Sequence, residues 1–350
     1  MSPGELRRVQ VAAPAKLNLA LLVGPRRRDG YHEIFSLMVP ITLADLLTAD
    51  ALHEGGLRVE CAVCDGEENL AARAVREVER RLGVPFSVRL HIEKRTPPAA
   101  GLGGGSSDAA AALIALERLY DLRLPRLERY AIAAAVGSDV PFFLWPGPQL
   151  SMGRGTVLKA VTLPEPLHFV VAAPDVELPT ADVYAWRDQD VVMGLRDFAA
   201  RTQRLVTAAS AARSPADIAP LIVNDLEPHV VQRRPEIGAV KQALLDAGAL
   251  GAAMTGSGAA VFGQFATVEA AEAARARLIA RVDLPPARVF TVSDLQPTEP
   301  VEGFDGGLEP ASGDLPEGGA ARQRPPRRPS PRRNRPKQAR RASRRQRGGG

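Results

Sequence analysis

The stretch Thr96–Leu116, TPPAAGLGGGSSDAAAALIAL, limits what this chain can build more than any other. Four glycines (Gly101, Gly103, Gly104, Gly105) and two serines (Ser106, Ser107) run without a break into an alanine-rich apolar segment. Just upstream, FSVRLHIEKR alternates apolar and polar side chains, the pattern of a half-buried strand. The unit reads as strand, glycine-rich turn, helix. Glycines let backbone N–H groups converge on a ligand, and the first amides of the following helix lack intrahelical partners at the positive end of its dipole. Ser106 and Ser107 are suited to cap that helix or to donate hydroxyls. Such a turn favours an anion. One helix terminus contributes only about 0.3–2 kcal/mol to a charge, whereas even millimolar binding needs about 4 kcal/mol, so other parts of the chain must contribute. Two familiar glycine motifs are excluded. A Walker A loop ends in Gly-Lys-Ser/Thr, and no lysine lies here; a G-x-G-x-x-G run from Gly101 needs glycine where Ser106 stands. Taken alone, the loop is either a phosphate cradle or a serine-capped turn.

Around this unit, strand-like and helical patterns mix. RVQVAAPAKLNLALLV reads as one or two strands, and ENLAARAVREVERRLG as a helix closed by Gly83. SSDAAAALIALERLYD and RLERYAIAAAVG are helical. From about Pro164 on, LHFVVAAP reads as a strand, RPEIGAVKQALLDAG as a helix, AAVFGQFA as a strand, VEAAEAARARLIARV as a helix and ARVFTVSDL as a closing strand. Strands in hairpin-like succession among helices predict an α+β architecture, and no internal repeat is present.

The chain has 350 residues, enough for two domains of ordinary size, and a net charge of +5. That charge misleads. Arg322–Arg347 hold 13 Lys and Arg and no acid; taking these from the 45 basic residues leaves 32 against 40 acidic ones, a net of −8 for the rest. A basic face for nucleic acid is not expected on the folded part. Residues 297–350, rich in Pro, Gly and Arg, lack any apolar period and read as disordered, either simply solvated or in contact with RNA or an anionic surface. The two cysteines, Cys61 and Cys64, exclude a disulfide scaffold. One C-x-x-C pair cannot make a four-ligand zinc site, and His53, His91, His168 and His229 show no ligand spacing. No apolar run approaches the roughly 20 residues of a membrane span, and VAAPAKLNLALLVG, broken by Pro14, Lys16 and Asn18, lacks the layout of a signal peptide. A cytoplasmic protein is expected.

Three further stretches carry chemistry, the first of them in two parts, PAKLNLALLV and RRRDGYHEIFSL. In PAKLNLALLV, Lys16 and Asn18 are two apart and share one face of a strand, with Leu17, Leu19 and Leu21 on the other; the lysine is either solvent-facing or placed in a site. RRRDGYHEIFSL follows, where the turn Asp29-Gly30 presents Tyr31 and His32. In AAAVGSDVPFFL, Asp139 stands at the close of a helix, where an acid opposes the dipole, a hint of function beside the common role of Asp in turns. In MTGSGAAVFGQF, Gly256-Ser257-Gly258 is expected to join a helix to a strand and to offer more backbone donors.

These four stretches, in this order, resemble the GHMP kinase superfamily, and Lys-x-Asn followed by Asp-Gly-Tyr-His resembles its branch acting on 4-diphosphocytidyl-2-C-methyl-D-erythritol. The resemblance spans residues 9–296. It implies an N-terminal ATP-binding and catalytic domain over 1–163, a ferredoxin-like C-terminal substrate domain over 164–296, and ATP with Mg²⁺ as phosphoryl donor. It implies Lys16 and Asp139 as the catalytic pair at the reacting 2-hydroxyl, and Gly101, Gly103, Gly104, Gly105, Ser106 and Ser107 around the ATP phosphates. Asn69 and Lys94 match adenine-side positions, and read equally well as a helix-start residue and a surface lysine. Tyr31, His32, Asn18 and Tyr184 match the cytosine side, with Thr180, Gly256 and Ser257 lining the substrate and Asn224-Asp225 nearby. The family loop is often richer in glycine where Ala99-Ala100 stand here, a difference expected to matter little. Another small-molecule kinase or a decarboxylase on the same fold, or a non-catalytic nucleotide or RNA binder, are the competing readings. Monomer and homodimer are both compatible with the sequence.

Overall fold

The computed structural model describes residues 7–190, 193–282 and 284–296; the tail expected to be disordered, 297–350, lies outside them. The first sheet contains β1 (Arg8–Arg26), β2 (His32–Ala51), β3 (Leu57–Cys61), β4 (Val88–Glu93), β5 (Gln149–Gly153), β6 (Val157–Ala160) and, after β7 (His168–Ala172) of the second sheet, β8 (Val223–Asn224). The second sheet is completed by β9 (Gly251–Met254), β10 (Val261–Phe265) and β11 (Val289–Ser293). The helices are α1 (Leu70–Leu82), α2 (Gly104–Leu119), α3 (Arg126–Val136), α4 (Thr180–Asp190), α5 (Leu195–Ala211), α6 (Glu227–Val231), α7 (Pro235–Asp246) and α8 (Val268–Arg281).

The first sheet grows from the long hairpin β1–β2. Its turn closes as expected from Asp29-Gly30: Asp29 Oδ1 accepts the Tyr31 N–H and Gly30 takes φ +88°. The spine order is β3-β4-β2-β1-β8, with β5 and β6 as a branch beside β2. Register shifts between Pro14 and Lys16 and between Asn18 and Ala20 bend β1. They also correct one expectation. Leu17 and Leu19 pack in one core, but Leu21 falls beyond the second shift, packs in another and lines the same cavity as Lys16 and Asn18. A one-residue slip exchanges faces, because the side-chain period is two.

The second sheet has order β11-β7-β10-β9, all antiparallel, with α7 before β9 and α8 between β10 and β11. That succession is the ferredoxin-like arrangement. The segment GAAM, too short and alanine-rich to signal a strand, forms β9. Gly256-Ser257-Gly258 therefore joins two antiparallel strands, not a helix to a strand.

Three apolar layers hold this together. Helices α1 and α2 pack Val75, Val78, Leu113 and Leu116 against Leu47, Leu90 and Ile92 of the first sheet, and α3 adds Ile132 to the same cluster. Leu17, Leu19 and Phe35 face Phe169 and Phe262 across the two sheets, and α7 and α8 cover the outer face of the second with Leu244 and Leu278. Each such fully buried side chain contributes about 1.5–3 kcal/mol relative to exposure. Cys61 is buried and Cys64 exposed, both as free thiols. Among the described residues no helix is long and apolar enough to cross a membrane.

Candidate active site

A cavity of about 880 Å³ opens beside β1, the β1–β2 turn, the glycine loop, the start of α4 and the β9–β10 loop. Eleven of the site residues expected from sequence line it: Lys16, Asn18, Tyr31, His32, Gly101, Gly103, Asp139, Thr180, Tyr184, Gly256 and Ser257.

Lys16 is 3 % exposed, so the solvent-facing reading of this lysine fails. Its ammonium donates to Asn18 Oδ1 at 2.5 Å and to the Gly101 carbonyl at 2.7 Å, and stands 3.9 Å from Asp139 Oδ2. Burial pulls the Lys16 pKa below the usual lysine range, and the Asp139 charge opposes that pull. Asn18 is engaged at both ends of its amide. Its Nδ2 donates to Ser36 Oγ at 2.8 Å, and its Oδ1 also accepts from Thr255 Oγ1 at 3.3 Å. The amide thus orients Lys16. Thr255, fully buried, and Ser36 complete this network; both lie inside stretches singled out from the sequence, but neither was named there as a site residue.

Asp139 follows the end of α3 and stands as N-cap of the short 3₁₀ turn Val140–Leu144. It opposes one helix dipole but sits at the favourable end of the next turn. Its side chain is 41 % exposed and faces the cavity.

The glycine loop packs directly on the β9–β10 loop. Ala260 N–H donates to the Ala100 carbonyl at 3.0 Å. Gly101 takes φ +78°, and a Cβ there would run into the Thr255 carbonyl oxygen. Gly103, at φ +73°, is the N-cap of α2 and offers no side-chain cap. Ser106 and Ser107 consequently sit inside the first turns, not at the cap as expected. The leading amides of α2 are left for a ligand. Ala99 takes φ +53°, a conformation costing an L-residue about 1–2 kcal/mol, so alanine in this place is not neutral as expected.

Gly104, Gly105, Ser106, Ser107, Asn69 and Lys94 are not among the residues that line the cavity. Asn69 caps α1, accepting the Ala71 N–H at 2.8 Å. Lys94 is not a surface lysine: it donates to Asp45 at 2.5 Å and to Asp108 at 2.7 Å, directly beneath Gly104. Burial pulls Lys94 down, but its two carboxylate partners outweigh that and hold it above its ordinary value. Burial pushes Asp108 up to about 6 against the pull of Lys94. Three buried polar atoms here have no hydrogen-bond partner among the described residues: Thr96 Oγ1, Ser107 Oγ and Asp108 Oδ1.

Also lining the cavity, His32 and Tyr184 stack with ring centroids 5.1 Å apart. His32 Nε2 donates to Asp188 Oδ1 at 2.9 Å. Burial pushes the Tyr184 hydroxyl up to about 12, with the Asp139 charge adding to it. Tyr31 is half exposed at the rim. Thr180 and Ser257 share a hydroxyl hydrogen bond of 2.9 Å. Asn224 donates to the Met254 and Gly256 carbonyls, and Asp225 pairs with Arg201, so both hold loops in place. Asp188 and Arg154, which also line the cavity, were missed from sequence; no motif contains them.

Comparisons with known proteins give the family. The family model for the GHMP kinases N terminal domain matches residues 69–147, and that for the GHMP kinases C terminal matches 205–283. The chain is 43 % identical over 266 residues to the 4-diphosphocytidyl-2-C-methyl-D-erythritol kinase of Anaeromyxobacter dehalogenans (strain 2CP-C), covering 74 % of this chain and 81 % of that one. It is 41 % identical to the like-named protein of Desulfitobacterium hafniense (strain Y51), covering 75 % and 89 %. A crystal structure of 4-(cytidine 5′-diphospho)-2C-methyl-D-erythritol kinase superposes with a TM-score of 0.68 at 36 % identity, over 83 % of this chain and 100 % of that one.

Proposed function

The chain belongs to the GHMP kinase family, among the 4-diphosphocytidyl-2-C-methyl-D-erythritol kinases, and on that premise we propose that it transfers the γ-phosphoryl group of ATP to the 2-hydroxyl of 4-diphosphocytidyl-2-C-methyl-D-erythritol. This is a step of non-mevalonate isoprenoid precursor synthesis, and the reading places the enzyme in the cytoplasm. The observation that carries it is the buried Lys16 ammonium, 3.9 Å from Asp139, in a cavity that Tyr31, His32 and Tyr184 also line.

Phosphoryl transfer demands positioning and charge stabilisation more than covalent chemistry. Asp139 orients the acceptor hydroxyl and takes its proton. Lys16, 3.9 Å from Asp139, offsets charge on the transferring group. The Asn18–Ser36–Thr255 network fixes the ammonium beforehand, so its reorganisation costs little during reaction. Amides at the start of α2 take the ATP phosphates. Among the described residues no three His, Cys, Asp or Glu converge, so Mg²⁺ would be held mainly by phosphate oxygens and water, with Ser107, whose buried hydroxyl has no partner among those residues, as an added oxygen. Bound there, it supplies further neutralisation of phosphate charge. Cytosine packs on Tyr31 and Tyr184, each contact contributing about 1–3 kcal/mol.

The test is ADP release with Mg-ATP against 4-diphosphocytidyl-2-C-methyl-D-erythritol, mevalonate, homoserine and galactose. Turnover of the cytidyl substrate alone, lost in Asp139→Asn, is expected. Turnover of another member of the panel instead would remove the cytosine assignment and keep the catalytic pair.

A further inference from the structure

Arg154 belongs to no sequence motif and to none of the networks above. It sits at the tip of the β5–β6 hairpin between Gly153 and Gly155, both at positive φ (+69° and +94°). That tip is pinned. Gly155 N–H donates to the Met152 carbonyl at 3.1 Å, Ser151 Oγ donates to the Gly155 carbonyl at 2.9 Å, and the Tyr130 hydroxyl donates to the Thr156 carbonyl. From it the Arg154 guanidinium reaches over the Tyr31 ring, 4.0 Å from its centroid, and lines the cavity.

Stacking uses the flat face of a guanidinium and leaves its five N–H donors free at the edge. Arg154 makes no hydrogen bond and no ion pair among the described residues, although the Asp29 carboxylate lies near enough to feel its charge. The other cations lining the cavity are more committed. Lys16 donates to Asn18 and Gly101, and Arg26 Nε donates to the Gly30 carbonyl at 3.0 Å. A preset, uncommitted fork beside an aromatic base platform fits a phosphate oxygen pair better than a neutral polyol.

Resting on the reading above, we propose that Arg154 is a specificity-determining residue that receives the diphosphate of the cytidyl substrate, while its stacking holds Tyr31 in place for the base. The residue therefore distinguishes a nucleoside diphosphate from a bare nucleoside.

The test compares wild type with Arg154→Met, which keeps the stem, and Arg154→Lys, which keeps the charge without the fork. Binding of CDP and of cytidine is measured by calorimetry at two salt concentrations, with turnover followed in parallel. Arg154→Met is expected to weaken CDP at least 10-fold with cytidine within 2-fold, to raise KM for the cytidyl substrate similarly, and to leave kcat and the KM for ATP nearly unchanged. Arg154→Lys is expected to recover part of the CDP affinity. Equal losses for CDP and cytidine would overturn the phosphate contact and leave only support of Tyr31. Undiminished CDP binding would overturn the proposal altogether. Absence of turnover in wild type, with the CDP preference still dependent on Arg154, would refute the substrate reading and uphold this one.

Discussion

Replacing Lys16 by methionine separates catalysis from stability. At 3.9 Å two unit charges interact by about 1 kcal/mol in water and about 4 kcal/mol at an effective dielectric constant near 20. Lys16 is buried, whereas the Asp139 side chain is 41 % exposed, so solvent screening places the pair between these limits, at about 2 kcal/mol. Each 1.4 kcal/mol or so is tenfold in rate, and the transferring phosphoryl group feels the same ammonium. Lys16→Met is therefore expected to lower kcat at least about 10²-fold. Asp139→Asn removes the proton acceptor, a contribution of about 10²–10⁴-fold. Both residues act on one proton and one developing charge, so the double variant should be at most about 10-fold slower than the slower single. Stability should respond in the opposite sense. Burial lowers the Lys16 pKa in the fold, so the folded state bears the cost of the buried charge at pH 7. That cost fades only as pH rises toward the ordinary lysine value. Lys16→Met is expected to be as stable as wild type at pH 7 or about 1 kcal/mol more stable, with the gain shrinking toward pH 10. The assays are coupled ADP release at saturating substrates and urea melts. A variant retaining kcat within threefold, a double variant showing the full product of the single losses, or a large destabilisation at pH 7 would each refute this reasoning.

Gly101→Ala meets both the Thr255 carbonyl and a positive φ; a loss of at least about 3 kcal/mol in urea melts is expected, and a loss below 1 kcal/mol would mean the two loops part easily. Tyr184→Ala should raise KM for the cytidyl substrate about 10–100-fold, from a stacking contribution of about 1–3 kcal/mol, with the KM for ATP unchanged in initial-rate kinetics. For Asp108, whose pKa in the fold is pushed up to about 6 by burial, the folded state holds a proton that the unfolded chain releases near pH 4. Its contribution to stability is greatest below about pH 4 and declines as pH rises through 6. The stability of wild type minus that of Asp108→Asn should fall over that window and stay flat above it; a rise would show that Lys94, not burial, dominates the site.

Local patterns were legible where the deciding physics is local. The alternation in β4, the αL cap at Gly83 and the apolar run of α2 appear where expected. Lys16 and Asn18 share a face because a strand repeats every two residues, and the glycine loop meets the helix start because no other residue type takes those dihedral angles freely. The motifs in order carried the family and most of the cavity lining.

The sequence by itself determined the elements that obey a short period or a backbone constraint, together with the residue types needed for phosphoryl transfer. Tertiary structure decided the rest. The register shift that turns Leu21 to the cavity is set by pairing with β2. The GSG loop became a hairpin because β9 is a strand only through its pairing with β10. Lys94 is enclosed by Asp45, 49 positions away, and by Asp108, so its charge meets carboxylates and not water. Arg154 reaches Tyr31 across more than a hundred positions of chain, and only the β5–β6 hairpin brings it there. Such contacts depend on long-range packing, whose energy is shared among many residues and leaves no period for a linear reading to detect.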